Sequence, residues 1–141
     1  MAAQPRVSVT FAEAISQGRD MHATYRVLST EQDEAWENIV RWSDLMRMLA
    51  ALDAKHGAEL QAARSSGRHI PTVRKHSLRT ASLRLRESFC LARAAAMEEL
   101  LQALVQALGV RLADGVGPPP LLDFLCRGAR PSAPPRPAPQ A

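Results

Sequence analysis

The chain has 141 residues and a formal net charge of +4, and 46% of its residues are hydrophobic while 4% are aromatic. This composition fits one domain with a packed core, and two cysteines are too few for a disulfide-stabilised scaffold. No apolar run reaches the roughly 18 residues of a membrane-spanning helix, and residues 1–9 lack the basic start and apolar stretch of a signal peptide.

A first helix is predicted to begin at Thr10. Thr10 and Glu13 have the spacing of a capping box, in which each side chain bonds the other residue's free backbone N–H. Positions three and four apart then form one stripe, which is typical of a helix face. The stripe consists of Phe11, Ile15, Gly18, His22, Tyr25 and Leu28. We find almost no period-two alternation in the chain, and therefore predict no strand.

A second, longer helix is predicted to begin after Thr30, which can cap it, and to end at the stop formed by Ser65, Ser66 and Gly67. Its stripe alternates steps of four and three, which is heptad spacing. The stripe is Ala35, Ile39, Trp42, Met46, Leu49, Asp53, His56, Leu60 and Ala63. A neighbouring row widens it with Trp36, Val40, Leu45, Met48 and Leu52.

A third helix is predicted to begin near Pro71, since proline suits a first helical turn, and to end before Gly109. Its stripe is Leu78, Ser82, Leu85, Phe89, Ala92, Ala96, Leu100, Ala103 and Ala107. A second row joins it with Cys90, Ala94, Met97, Leu101, Leu104 and Leu108.

Together these elements predict an all-α fold. Two long helices joined by a short loop form a coiled-coil-like antiparallel hairpin, with the first helix packed alongside. We expect a flexible N-terminus at residues 1–9, a helical domain at 10–109 and a disordered Pro-rich tail at 110–141 that contains an apolar island at 121–125. Eight of the ten prolines lie from Pro118 onward.

The double apolar rows are wider than one neighbouring helix needs, which favours association with a second helical chain or with a second copy. The expected contact residues are Trp36, Val40, Leu45, Met48, Met97, Leu101, Leu104 and Leu108. Trp36 and Trp42 have two interpretations, as core residues or as anchors for a partner. We therefore predict a non-catalytic helical adaptor or subunit of a multiprotein complex.

Catalysis is not expected, because the sequence has no phosphate-binding glycine loop and none of the common hydrolase or metalloprotease motifs. His69 and His76 flank Arg74 and Lys75, whose positive charges oppose a metal ion. Asp53 and His56 lie one turn apart, but no nucleophile accompanies them. We predict no catalytic residue, cofactor or metal site.

Residues 64–93, here called the basic segment, contain eight basic side chains and one acidic one. The eight are Arg64, Arg68, Arg74, Lys75, Arg79, Arg84, Arg86 and Arg93. The segment predicts an alternative function, a nucleic-acid-binding module, or else contact with an anionic membrane. The competing interpretation is pairing across the hairpin with Asp44, Asp53 and Glu59, which are too few to neutralise it.

Two serines in the basic segment, Ser77 and Ser82, follow an arginine by three residues, as in substrates of basophilic kinases. A phosphate there would cancel positive charge. In the tail, the apolar island is either a docking motif for another protein or a segment that folds back on the helices. The residues of this motif are Leu121, Leu122, Phe124 and Leu125. Unpaired cysteines suggest an intracellular protein, cytoplasmic or nuclear.

Overall fold

A computed structural model describes residues 4–17, 20–71 and 87–126 of the chain. Within these ranges, three antiparallel strands are followed by three helices. The elements are β1 (Arg6–Gln17), β2 (Asp20–Glu31), β3 (Glu34–Arg41), α1 (Trp42–Ser65), α2 (Glu87–Ala107) and α3 (Pro119–Cys126). The all-α prediction is therefore wrong, and the chain is not a coiled coil, a helical bundle or a long helical hairpin.

The three strands form a meander in the order β1-β2-β3. Between β2 and β3 the ladder runs up to the pair Glu31 and Glu34, so that Gln32 and Asp33 alone make the turn. Gln32 has φ of 53°, a left-handed conformation that two-residue hairpin turns require. The sequence does not signal this turn, because glycine or asparagine commonly occupies such a position.

Burial in β2 alternates strictly, which is the signature of a strand with one face on the core. The buried residues are Ala23, Tyr25, Val27, Ser29 and Glu31. The first predicted helix fails for this reason. The predicted stripe, with its steps of three and four, mixed residues that lie on opposite faces of β1 and β2.

Helix α1 begins at Trp42, well after the predicted start at Thr30, and ends at Ser65 as the sequence indicated. The Asp44 carboxylate accepts a hydrogen bond of 2.8 Å from the backbone N–H of Arg41 and so caps the first turn. Residues 34–41, assigned to the start of this helix from sequence, instead form β3.

Helix α2 begins at Glu87 and ends at Ala107, followed by Gly109 with φ of 63°. The predicted helix stop at Gly109 agrees with the left-handed backbone conformation of this glycine. The predicted start near Pro71 cannot be compared, since residues 72–86 lie outside the described part. Rather than pairing with α1 as a hairpin, α2 packs on β1.

The outer edge of β1 is covered by polar side chains of α2. The backbone N–H of Val9 donates to Glu98 Oε1 at 2.9 Å, and that of Val7 donates to Gln102 Oε1 at 2.8 Å. Gln102 Nε2 in turn donates to the Pro5 carbonyl at 3.1 Å. Val7 and Val9 are buried, although residues 1–9 were predicted to be flexible.

The chain stays folded beyond residue 110, where the tail was predicted to begin. Arg111 and Val116 pair across a tight turn, and the buried Glu31 carboxylate accepts a hydrogen bond from the backbone N–H of Ala113. Helix α3 then packs on α1 and β3, where Asn38 Nδ2 donates to the Phe124 carbonyl at 2.8 Å. Residues 127–141 lie outside the described part.

One apolar core lies between the sheet and the three helices. Its fully buried members within the described elements come from β2 and the three helices, and include Val27, Leu45, Leu52, Met97 and Leu121. Among the described helices, none combines the length and apolarity needed to cross a bilayer.

Candidate functional site

An arginine held between two aromatic rings lies where α1, α2 and the sheet meet. Arg93 Cζ is 4.1 Å from the ring centroid of Trp42 and 4.6 Å from that of Phe89. Trp42 also packs against Tyr25 of β2, with ring centroids 6.5 Å apart. A guanidinium over ring faces is held by attraction to the π electrons. The orientation of Arg93 is therefore restricted by both helices.

The Tyr25 hydroxyl and the Cys90 thiol complete this cluster and are hydrogen-bonded to each other. Burial raises the pKa of Tyr25 to about 12, and the nearby Cys90 contributes to the rise. Burial also raises the pKa of the Cys90 thiol. A thiol with a raised pKa stays protonated and is a poor nucleophile. The cluster is thus arranged for packing and not for covalent chemistry.

The described residues contain no group of three or more His, Cys, Asp or Glu side chains placed to hold a metal ion. His56 Nδ1 lies 2.5 Å from Glu59 Oε1, so its partner is this glutamate and not the Asp53 considered from sequence. His69 Nε2 lies 3.8 Å from Glu99 on α2. Both contacts lie at the surface, where pairs of this kind contribute little to stability.

Three of the eight cations in the basic segment are described, and five lie outside the described residues. Arg64 and Arg68 are exposed, and Arg93 is the aromatic-held arginine. The part outside comprises the predicted basic patch and both predicted phosphorylation sites. Its residues are Arg74, Lys75, Arg79, Arg84, Arg86, Ser77 and Ser82.

The acids that were expected to neutralise the basic segment are engaged on α1 itself. Asp44 pairs with Arg47 one turn along, and Glu59 pairs with His56. Asp53 is exposed on the same helix. Since α1 and α2 form no long hairpin, the cross-hairpin pairing has no structural basis.

A further cation lies close to this segment. Arg41 is exposed at the end of β3, and the next residue, Trp42, carries the ring that Arg93 covers. Ile70 is buried and Glu87 begins α2, so that both ends of residues 72–86 are attached to the folded part. Guanidinium groups match phosphate oxygens in a two-pronged geometry. Arginine side chains such as Arg41 and Arg93 are therefore of a kind that suits phosphate oxygens.

The side chains predicted to contact a partner belong to the core of this chain. Val40, Leu45, Met48, Met97, Leu101 and Leu104 are at most 6% exposed. Trp36 and Leu108 are partly buried and pack on the same core. The wide apolar rows that suggested association are thus explained by the sheet, which the sequence analysis had not anticipated.

The predicted docking motif forms most of α3. Leu121, Phe124 and Leu125 are buried, and Leu122 is partly buried against them. This placement corresponds to the alternative in which the apolar island folds back on the helices. Within the chain, its apolar surface is therefore already occupied.

A cleft of about 410 Å³ opens between β3, α1 and α3. Its lining combines apolar side chains with charged ones at the rim, and includes Ile39, Asp44, Met48, Asp123 and Phe124. Ile39 is 53% exposed and contributes apolar surface to the cleft. No sequence motif pointed to this cleft, because its three walls are distant along the chain.

Sequence reasoning also missed the cluster around Arg93. Tyr25 and Trp42 had been assigned to different helices, and Arg93 was counted only as one charge of the basic segment. A tyrosine on a strand and a tryptophan at the start of a helix, far apart along the chain, carry no motif. Comparisons with protein-family models and with curated proteins find no match to this chain.

Proposed function

We propose that this chain is a non-catalytic binding domain whose ligand is an anionic phospholipid surface. The observation that carries the proposal is the excess of positive charge in the basic segment, which includes the aromatic-held Arg93. Seven of the eight cations in the segment are arginines, which suit phosphate headgroups. Clusters of basic residues near a membrane contribute about 1 kcal/mol per residue to binding.

A membrane fits the segment better than nucleic acid does. Its basic residues alternate with aliphatic ones, including Val73, Leu78, Leu83 and Leu85. Aliphatic side chains next to cations can enter the headgroup region of a bilayer. Single-stranded nucleic acid instead needs aromatic faces for its bases, and the only Phe, Tyr or Trp in the segment is Phe89, whose ring Arg93 covers.

An intracellular location is part of this proposal, because the cytoplasmic leaflet carries most of the anionic lipid. Cys90 and Cys126 form no disulfide, which agrees with a reducing compartment. The adaptor role suggested by the apolar rows has less support, since those rows form the core.

Vesicle flotation tests the proposal with the full-length chain. Vesicles contain phosphatidylcholine alone, phosphatidylcholine with phosphatidylserine, or phosphatidylcholine with a phosphatidylinositol bisphosphate. We expect the chain to float with both anionic compositions and not with phosphatidylcholine. The triple variant Arg79→Glu, Arg84→Glu and Arg86→Glu should lose this binding.

A matched control changes the same total charge outside the basic segment. Arg6→Glu, Arg47→Glu and Lys55→Glu lie at exposed positions on β1 and α1 and should leave vesicle binding largely intact. If the two triple variants lose binding equally, net charge alone is responsible and the site assignment fails. If the chain ignores all vesicles but binds nucleic acid with a steep salt dependence, the alternative function holds instead.

A further inference from the structure

The cleft between β3, α1 and α3 has a different chemistry from the basic segment. Met48 and Phe124 are nearly buried and form an apolar floor. Asp44 and Asp123 contribute carboxylates, and Arg47 contributes one cation, which is paired with Asp44. The result is an apolar groove whose rim has a negative balance.

We propose that this cleft binds the Pro-rich C-terminal segment of the same chain, residues 127–141. The segment directly follows α3, which forms one wall of the cleft. Three residues of α3 line the cleft, and the helix ends at Cys126, immediately before this segment. Asp123, which lines the cleft, lies three residues before the end of α3.

The charge of the segment is opposite to that of the cleft rim. Residues 127–141 contain Arg127, Arg130 and Arg136 and no acidic side chain. These cations complement Asp44 and Asp123 of the cleft. The segment therefore has the sign that the rim favours, whereas an acidic peptide would be repelled.

The proline content and the length of the segment also suit docking in the cleft. Five of the fifteen residues are prolines, which favour an extended polyproline conformation and lose little entropy on docking in an apolar groove. A polyproline segment advances about 3.1 Å per residue, so fifteen residues have ample reach from the end of α3. Attachment to α3 also gives the segment a high effective concentration at this site.

Paramagnetic relaxation in the full-length chain tests the proposal. A nitroxide is attached at Ser132→Cys in a Cys126→Ser background, where Cys90 is buried and stays unlabelled. We expect the Ile39 methyl signals to lose most of their intensity. The methyl signals of Leu91, exposed on α2, should keep theirs and serve as the control for random encounters.

Two variants that change or keep the charge of the segment distinguish docking in the cleft from mere proximity to it. Replacing Arg127, Arg130 and Arg136 by Glu should restore the Ile39 signals, while replacing them by Lys should preserve the loss. Equal broadening of Ile39 and Leu91, or no broadening of either, would overturn the proposal. Broadening of an isotope-labelled chain by a separate nitroxide-labelled copy would overturn it too, because the segment would then bind a second molecule.

Discussion

Burial determines the behaviour of the polar groups that surround Arg93. Tyr25 is 1% exposed and Cys90 is fully buried, and both sit against the guanidinium that Trp42 and Phe89 hold. Arg93 favours the ionised forms of both groups, yet desolvation is the larger effect and raises both pKa values. This balance explains why the cluster stabilises the fold and does not activate a nucleophile.

The raised pKa of Tyr25 predicts a loss of stability at alkaline pH. The folded chain holds the phenolic proton more tightly than an ordinary tyrosine, with a pKa of about 12 in place of 10.0. This stabilisation is complete below pH 10 and is lost as the pH rises towards 12. Tyr25→Phe should therefore flatten the fall in the free energy of unfolding across that window, measured by urea denaturation.

Tyrosinate absorbance supplies a direct check, since Tyr25 is the only tyrosine in the chain. Cys126→Ser is a useful background, because burial raises the pKa of that thiol to about 11 and it titrates in the same window. A phenol that ionises near pH 10 in the folded protein would contradict the burial described here.

At the scale of elements, the outer edge of the sheet is protected by two side chains of α2. An unprotected strand edge can pair with another chain and promote aggregation. Glu98 and Gln102 lie one turn apart along α2, and Val7 and Val9 are alternate residues of β1. The spacing of the two acceptors on the helix therefore matches the spacing of the two N–H donors on the strand. This match couples the position of α2 to the register of the sheet.

Removing both side chains should weaken the fold and expose the edge. We expect Glu98→Ala with Gln102→Ala to lower the free energy of unfolding by about 2 kcal/mol, since buried N–H groups lose their partners. Urea denaturation measures the first effect, and light scattering measures self-association. Glu99→Ala is the control, because that side chain is 64% exposed and faces His69. Identical behaviour of the double variant and the control would refute the protective role.

For the whole molecule, closure of the core depends on α3, the last element. Leu121 and Leu125 are fully buried, and the helix packs on α1 and on β3. Residues that resemble an isolated docking motif in the sequence therefore complete the same core to which β2 contributes. The domain extends to Cys126 and not to the predicted boundary at residue 109.

Truncation of one α3 side chain should measure this contribution. Leu125→Ala is expected to lower the free energy of unfolding by about 2–5 kcal/mol, the range for a buried leucine that leaves a cavity. Leu122→Ala, at a partly buried position, should cost less. Thermal unfolding followed by circular dichroism provides the measurement. An unchanged midpoint in Leu125→Ala would mean that α3 is not part of the cooperative unit.

Local signals in the sequence predicted some features and misled on others. The helix ends at Ser65 and before Gly109 were predicted correctly, because stop signals act within a few residues. The strands were missed, since Phe11 and Tyr25 fit a helical stripe as well as an alternating one. The turn at Gln32 contains no glycine or asparagine, so it gave no hairpin signal.

The sequence by itself determined the charge map of the chain, the ends of two helices and the absence of familiar catalytic motifs, because each depends on residue identity or on near neighbours. Tertiary structure alone decided which apolar rows became core, which side chains protect the edge of β1, and how Arg93 meets Trp42. Those contacts join residues far apart along the chain. Their formation depends on the whole core excluding water, which no local window of sequence can show.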